Sequence, residues 1–186
     1  MKFSELKGRA VVDLDDARKI GEVEDLMVEP HGHSIVSLKV RTGLFHAAKL
    51  VPVTDVKNVG ADAVTISAGA ALSPAHIPAD MANPAAPGNA DQSAAQQQST
   101  SSKSSEGSQP LIEITSILGS KVVTDTGTMD GELSDAMVDW VDLKITGYEV
   151  REGGLFAKPH EFGATPEVTY GNKMITIPTQ LLNHPH

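Results

Sequence analysis

The sequence predicts an all-β protein: two small β-barrels in tandem, joined by a disordered linker. Three observations predict it. The segment 3–12 (FSELKGRAVV) recurs as 114–123 (ITSILGSKVV), with Gly8 and Gly119 standing 111 residues apart. Short apolar runs alternate with polar residues at the two-residue period of strands. A compositional break separates the two copies. The repeat continues in order through Gly21-Glu22/Gly131-Glu132, Asp25/Asp135, Met27-Val28/Met137-Val138 and Val40-Arg41/Val150-Arg151. It returns at Leu44-Phe45/Leu155-Phe156, Gly60/Gly171 and Thr65-Ile66/Thr176-Ile177. A period this long means two whole domains rather than a solenoid of short repeats.

The elements follow in order. One helical turn opens each module, with Ser4 or Thr115 as N-cap and Gly8 or Gly119 ending it. Val11-Val12, Leu26-Met27-Val28, Leu50-Val51 and Val64-Thr65-Ile66 are short strand-forming runs. Val36, Leu38 and Val40 alternate with Ser37, Lys39 and Arg41, and Tyr148 and Val150 alternate with Gly147, Glu149 and Arg151. Turn chemistry separates these runs at Asp15-Asp16, Glu29-Pro30-His31-Gly32, Thr42-Gly43 and Gly60-Ala61-Asp62. Asp125-Thr126-Gly127, Gly153-Gly154 and Gly171-Asn172-Lys173 do the same in the second module. Five or six short strands per module describe a small barrel, whose closure removes exposed edges.

The modules occupy 1–71 and 110–186. Residues 72–109 are dominated by Ala, Ser, Pro, Gln, Asn and Gly, with too little apolar surface to offset their ordering entropy. A flexible tether of this length spans ~31–37 Å root-mean-square. The modules could therefore pack on each other as a pseudo-two-fold pair, the intramolecular version of a homodimer, or two chains could form a homodimer, or each module could occupy its own site on a partner. Cutting the linker is expected to leave two folded halves.

The chain has 186 residues, no cysteine and a net charge of −9, so neither disulfides nor thiolate metal sites reinforce it. The charge is uneven. Residues 1–71 carry nine Lys/Arg against ten Asp/Glu, giving −1. The linker carries −2, and residues 110–186, with five against eleven, carry −6. The acidic second module would repel phosphate backbones and anionic headgroups, so direct nucleic-acid binding is not expected. No stretch has signal-peptide or membrane-span character, which predicts a cytoplasmic chain without membrane insertion.

Gly8, Val11-Val12-Asp13, Ile20-Gly21-Glu22-Val23-Glu24-Asp25 and Leu50-Val51-Pro52-Val53-Thr54-Asp55-Val56 together resemble the PRC-barrel domain. The resemblance covers the first module and most of the second. There Met129-Asp130-Gly131 replaces Lys19-Ile20-Gly21, and Glu161-Phe162-Gly163-Ala164-Thr165-Pro166 replaces the Leu-Val-Pro stretch. The fold is similar to the cytoplasmic part of the photosynthetic reaction-centre H subunit and to the C-terminal domain of the ribosome maturation factor RimM. Both resemblances imply partner binding without catalysis.

The chemistry-bearing residues support no enzyme. Gly21 and Asp25, with Gly131 and Asp135, read as structural turn residues: Gly adopting φ > 0, and Asp satisfying backbone donors at a strand end. A catalytic carboxylate should have a partner nearby, and the sequence offers none. The series Asp13, Asp15, Ala17, Glu24 has calcium-loop spacing but lacks a ligand at Ala17 and a glycine at Arg18. His31-Gly32-His33 and His184-Pro185-His186 each place two imidazoles close together without a third ligand, so neither a metal site nor a cofactor is expected. Phe45 and Phe156 are candidates for an apolar docking lip, or else core residues of each barrel. Trp140, in a predicted hairpin tip, is a candidate interaction hot spot. The expected function is a non-catalytic adaptor working through protein–protein contact. A ribosome-assembly or RNA-processing accessory and a peripheral subunit of a membrane electron-transfer complex are the alternatives that the resemblance implies.

Overall fold

The computed structural model describes residues 1–43, 47–67, 73–74, 110–152 and 158–182. The expected disordered linker lies outside them, apart from Ser73 and Pro74. The first half contains α1 (Phe3–Leu6), β1 (Ala10–Asp13), β2 (Arg18–Val28), β3 (Ile35–Arg41), β4 (Lys49–Pro52), β5 (Val56–Val59), β6 (Ala63–Ile66) and β7 (Ser73–Pro74). The second contains β8 (Ile112–Glu113), α2 (Ile114–Ile117), β9 (Lys121–Thr124), β10 (Met129–Asp139), β11 (Lys144–Arg151), β12 (His160–Gly163), β13 (Thr169–Gly171) and β14 (Met174–Ile177).

Two sheets result. One runs β5-β6-β1-β2-β3-β4-β7, with β8 added against β2, and the other runs β12-β11-β10-β9-β14-β13. The duplication survives in the register. Among the described residues, each sheet has one parallel pair, β1 with β6 and β9 with β14, beside antiparallel neighbours. Its bulges also fall at equivalent places. An extra residue is inserted at Ile20 and at Asp130, at Glu24 and at Ser134, and at Val36 and at Thr146. Bulges bend a strand and raise its local twist, which curls each sheet around its apolar face.

The bulge at Val36 changes one sequence expectation. Alternation predicts Val36 on the apolar face with Leu38 and Val40, but it is 41% exposed while Ile35, Leu38 and Val40 are buried. The extra residue breaks the two-residue alternation, so the phase inferred from Leu38 and Val40 fails one step upstream. On β2 the bulge at Glu24 has the opposite consequence: Asp25 and Leu26 are both buried.

Each helix is a single turn whose first and last residues are apolar and buried, Phe3 and Leu6 in α1, Ile114 and Ile117 in α2. Gly8 (φ +87°) and Gly119 (φ +76°) follow in the left-handed conformation that stops each turn. Their N–H groups donate to the carbonyls of Val23 and Leu133 at 2.8 Å, which anchors each helix to its own sheet.

The helices also reach across. Lys2 pairs with Met137 on β10, and β8 pairs with Met27 and Val28 on β2. Around a second point, Ile35 N–H donates to Leu143 O and Ile145 N–H donates to His33 O, both at 2.8 Å. These two bonds exchange equivalent residues, as contacts about a two-fold axis do. Residues 1–75 and 109–186 form one compact unit, and the buried apolar residues of both sheets belong to one cluster.

Candidate functional site

The polar residues singled out by the repeat gather along the seam between the halves. Asp25 is 1% exposed and Asp135 5%. Asp135 accepts from Ser4 N–H at 3.1 Å and from Ser4 Oγ at 2.5 Å. Asp25 accepts from Thr115 N–H at 3.2 Å and from the Thr115 hydroxyl, and also from Leu26 N–H at 2.8 Å. Each aspartate therefore takes up the orphan N–H of the helix belonging to the other half. This corrects the N-cap expectation: Ser4 and Thr115 are second residues of their helices, and the capping oxygen arrives from a strand of the other half. Burial pushes the Asp25 carboxyl above its ordinary range, partly offset by the Thr115 and Leu26 donors.

Gly21 and Gly131 lie inside β2 and β10 rather than in turns. At Gly21 the need is space, since a Cβ would stand 2.3 Å from the Arg41 carbonyl oxygen. At Gly131 a Cβ would stand 2.6 Å from Arg151 O, and φ is +152°. The turn expectation is replaced by close crossing of paired strands next to a bulge.

Among the described residues, two ion pairs bridge the seam. Lys39 Nζ stands 2.9 Å from Glu113 and 3.3 Å from Glu24, its side chain 14% exposed. Burial opposes the Lys39 charge, but Glu113 and Glu24 outweigh it and raise its pKa. Lys2 contacts Glu149, whose side chain is 4% exposed. Hydrogen bonds from Lys2 and then Ser134 hold the Glu149 carboxyl below its ordinary range. A buried hydrogen-bonded chain completes the seam. His33, 4% exposed at φ +54°, has Nε2 2.8 Å from Thr165 O, so this nitrogen carries the proton and donates. Its Nδ1 accepts from the Tyr170 hydroxyl at 2.9 Å, and Tyr170 lies 2.5 Å from the Tyr148 hydroxyl. Burial pushes the Tyr148 hydroxyl up to about 12 and Tyr170 up as well, so both stay protonated at neutral pH.

The other candidates separate. His31 is exposed beside Glu29, at 3.7 Å, while His33 is inside, so the His31–His33 pair does not converge. Among the described residues, no group of three or more His, Asp or Glu could hold a metal ion. Trp140 is half-buried against the core, with no hydrogen-bond partner for its Nε1 among the described residues, and it is Val141, 92% exposed, that occupies the tip. Phe45, Phe156, His184 and His186 lie outside the described residues.

Beyond the seam, each half carries an open cleft, where the start of β2 meets the end of β3 and where the start of β10 meets the end of β11. One, of about 550 Å³, is lined by Lys19, Gly21, Glu22, Arg41 and Gly43. The other, of about 400 Å³, is lined by Lys121, Met129, Gly131, Glu132, Arg151 and Glu152. Glu22 bonds Lys19 at 2.9 Å and Arg41 at 3.0 Å, which lowers its pKa. Sequence reasoning missed both clefts and the His33–Tyr170–Tyr148 chain. The repeat flags the clefts through Gly21/Gly131 and Arg41/Arg151, whereas nothing flags Tyr170, whose counterpart is Val59.

Among described helices, none is long and apolar enough to cross a membrane. No curated protein matches the chain. The family model of the PRC-barrel domain matches residues 1–72. The first half of this chain is therefore a PRC-barrel domain, and the second half repeats its strand order and bulges in a sheet of its own.

Proposed function

We propose that the protein is a non-catalytic adaptor that binds protein partners through its two equivalent clefts. The observation that carries this reading is the recurrence of one cleft in both halves, around Gly21–Arg41 and Gly131–Arg151. In sequence, Leu44-Phe45 and Leu155-Phe156 follow the cleft residues closely in each half. The recurring carboxylates Asp25 and Asp135 are engaged in holding helices. Two like clefts on one unit favour bivalent binding, in which the second contact gains from the first.

The test is co-purification of the full-length protein from its native cells, with and without ribonuclease, alongside an Arg41→Ala/Arg151→Ala variant whose fold is checked by circular dichroism. A protein set that resists ribonuclease and falls away with the variant is the expected result. Ribosomal proteins released by ribonuclease would put the ribosome-assembly role first. Membrane electron-transfer subunits would favour the third reading. Recovery of the protein alone would overturn partner binding.

A further inference from the structure

We infer that the seam is an interaction surface that accepts the other kind of half and rejects a second copy of the same half. Lys2 and Glu113 hold the same place, immediately ahead of α1 and α2. Lys39 and Glu149 also hold the same place, opposite Asp25 on β3 and opposite Asp135 on β11. The two bridges, Lys2–Glu149 and Lys39–Glu113, are thus one bridge with its charges exchanged. The first half contributes lysine at both positions and the second contributes glutamate at both. Two first halves paired in this way would set Lys2 against Lys39 twice. Two second halves would set Glu113 against Glu149 twice. With Lys39 and Glu149 only 14% and 4% exposed, water would screen that repulsion poorly.

The hydrogen-bonded chain gives the same selection independently. His33 of the first half is satisfied by Tyr170 and Thr165 of the second. The register places Leu38 and Val59 of the first half where Tyr148 and Tyr170 stand in the second. A pair of first halves would bury His33 against side chains that cannot hydrogen-bond. A pair of second halves would keep the Tyr148–Tyr170 hydrogen bond but put Leu143, the counterpart of His33, where the remaining hydroxyl proton needs an acceptor. Buried polar groups without partners are costly, so both self-pairs are disfavoured. The aspartate–helix contacts are alike in both halves and would tolerate any pairing. Selection rests on the residues in which the halves differ.

The test starts from the full chain carrying a protease site within 76–108. The folded protein is cut, unfolded in urea, refolded by dilution and weighed by native mass spectrometry. Wild type is expected to return mixed pairs in at least about tenfold excess over self-pairs. Lys39→Glu/Glu113→Lys makes every pairing complementary at these positions, and self-pairs should rise by about tenfold. Lys2→Glu/Glu149→Lys, which reverses the other bridge, should do the same and covers the case in which the first variant misfolds. Wild-type halves that redistribute statistically, or that fail to pair, would overturn the inference. So would both variants keeping the wild-type preference.

Discussion

At the residue scale, the aspartates and glycines of the repeat act through groups far away in sequence. Asp25 serves Thr115, 90 positions on, and Asp135 serves Ser4, 131 positions back. Asp25→Ala leaves the Thr115 donors and Leu26 N–H without their acceptor, at a cost of about 1–3 kcal/mol. Asp25→Asn keeps one acceptor oxygen and removes the need to bury a charge, so it should cost less; urea unfolding of the two variants would decide, and equal losses would count against the cap. Gly21→Ala forces a Cβ toward the Arg41 carbonyl and should cost about 1–3 kcal/mol through displacement of β3. An alanine variant as stable as wild type would mean that the strands can separate freely there. The sequence marked Gly21, Asp25, Gly131 and Asp135 because they recur. It could not supply their reasons, since a turn and a strand crossing select glycine alike.

At the element scale, each opening segment is shared between the sheets. α1 is tied to β2 through Gly8 and to β10 through Lys2, Ser4 and the N-terminal strand-like pairing at Met1. Removing residues 1–6 is therefore expected to loosen the second sheet as well as the first. Hydrogen exchange at the Val138 amide, which donates to Met1 O at 2.7 Å, should accelerate on truncation. Unchanged protection at Val138 would show that β10 does not depend on α1. The strands themselves were legible from apolar alternation. The bulges at Ile20, Glu24 and Val36 were not, because one inserted residue looks like ordinary sequence until its partner strand fixes the register. That is why alternation alone puts Val36 on the wrong face.

At the scale of the whole molecule, the seam makes the halves one unit. The single buried cluster and the bonds across the pseudo-two-fold predict one cooperative unfolding transition for the full chain, where the sequence suggested halves that fold separately. Two resolved calorimetric peaks would restore the separate-domain view. Acid should weaken the seam. Glu149 titrates below its ordinary range in the folded state, so its contribution is complete above an unfolded pKa of about 4.3 and is lost as pH falls through the lower folded value. Asp25 works the other way: its raised folded pKa gives stability that is present at low pH and declines as pH rises through that value. Glu149→Gln should therefore flatten the acid limb of the stability profile and Asp25→Asn should steepen it, as read from urea midpoints between about pH 3 and 6. Parallel profiles for wild type and both variants would refute these assignments.

By itself the sequence determined that the fold is β, that it is duplicated, where each copy starts, and which apolar runs become strands. These properties are carried by local periodicity and by residues that recur at a fixed distance. Only the tertiary structure decided what the duplication is for mechanically. It set each helix on the other half's long strand, turned Lys2, Lys39, Glu113 and Glu149 into two opposed bridges, and brought His33 to Tyr170 across 137 residues of chain. Those contacts depend on how two curled sheets meet, and no local pattern encodes that meeting.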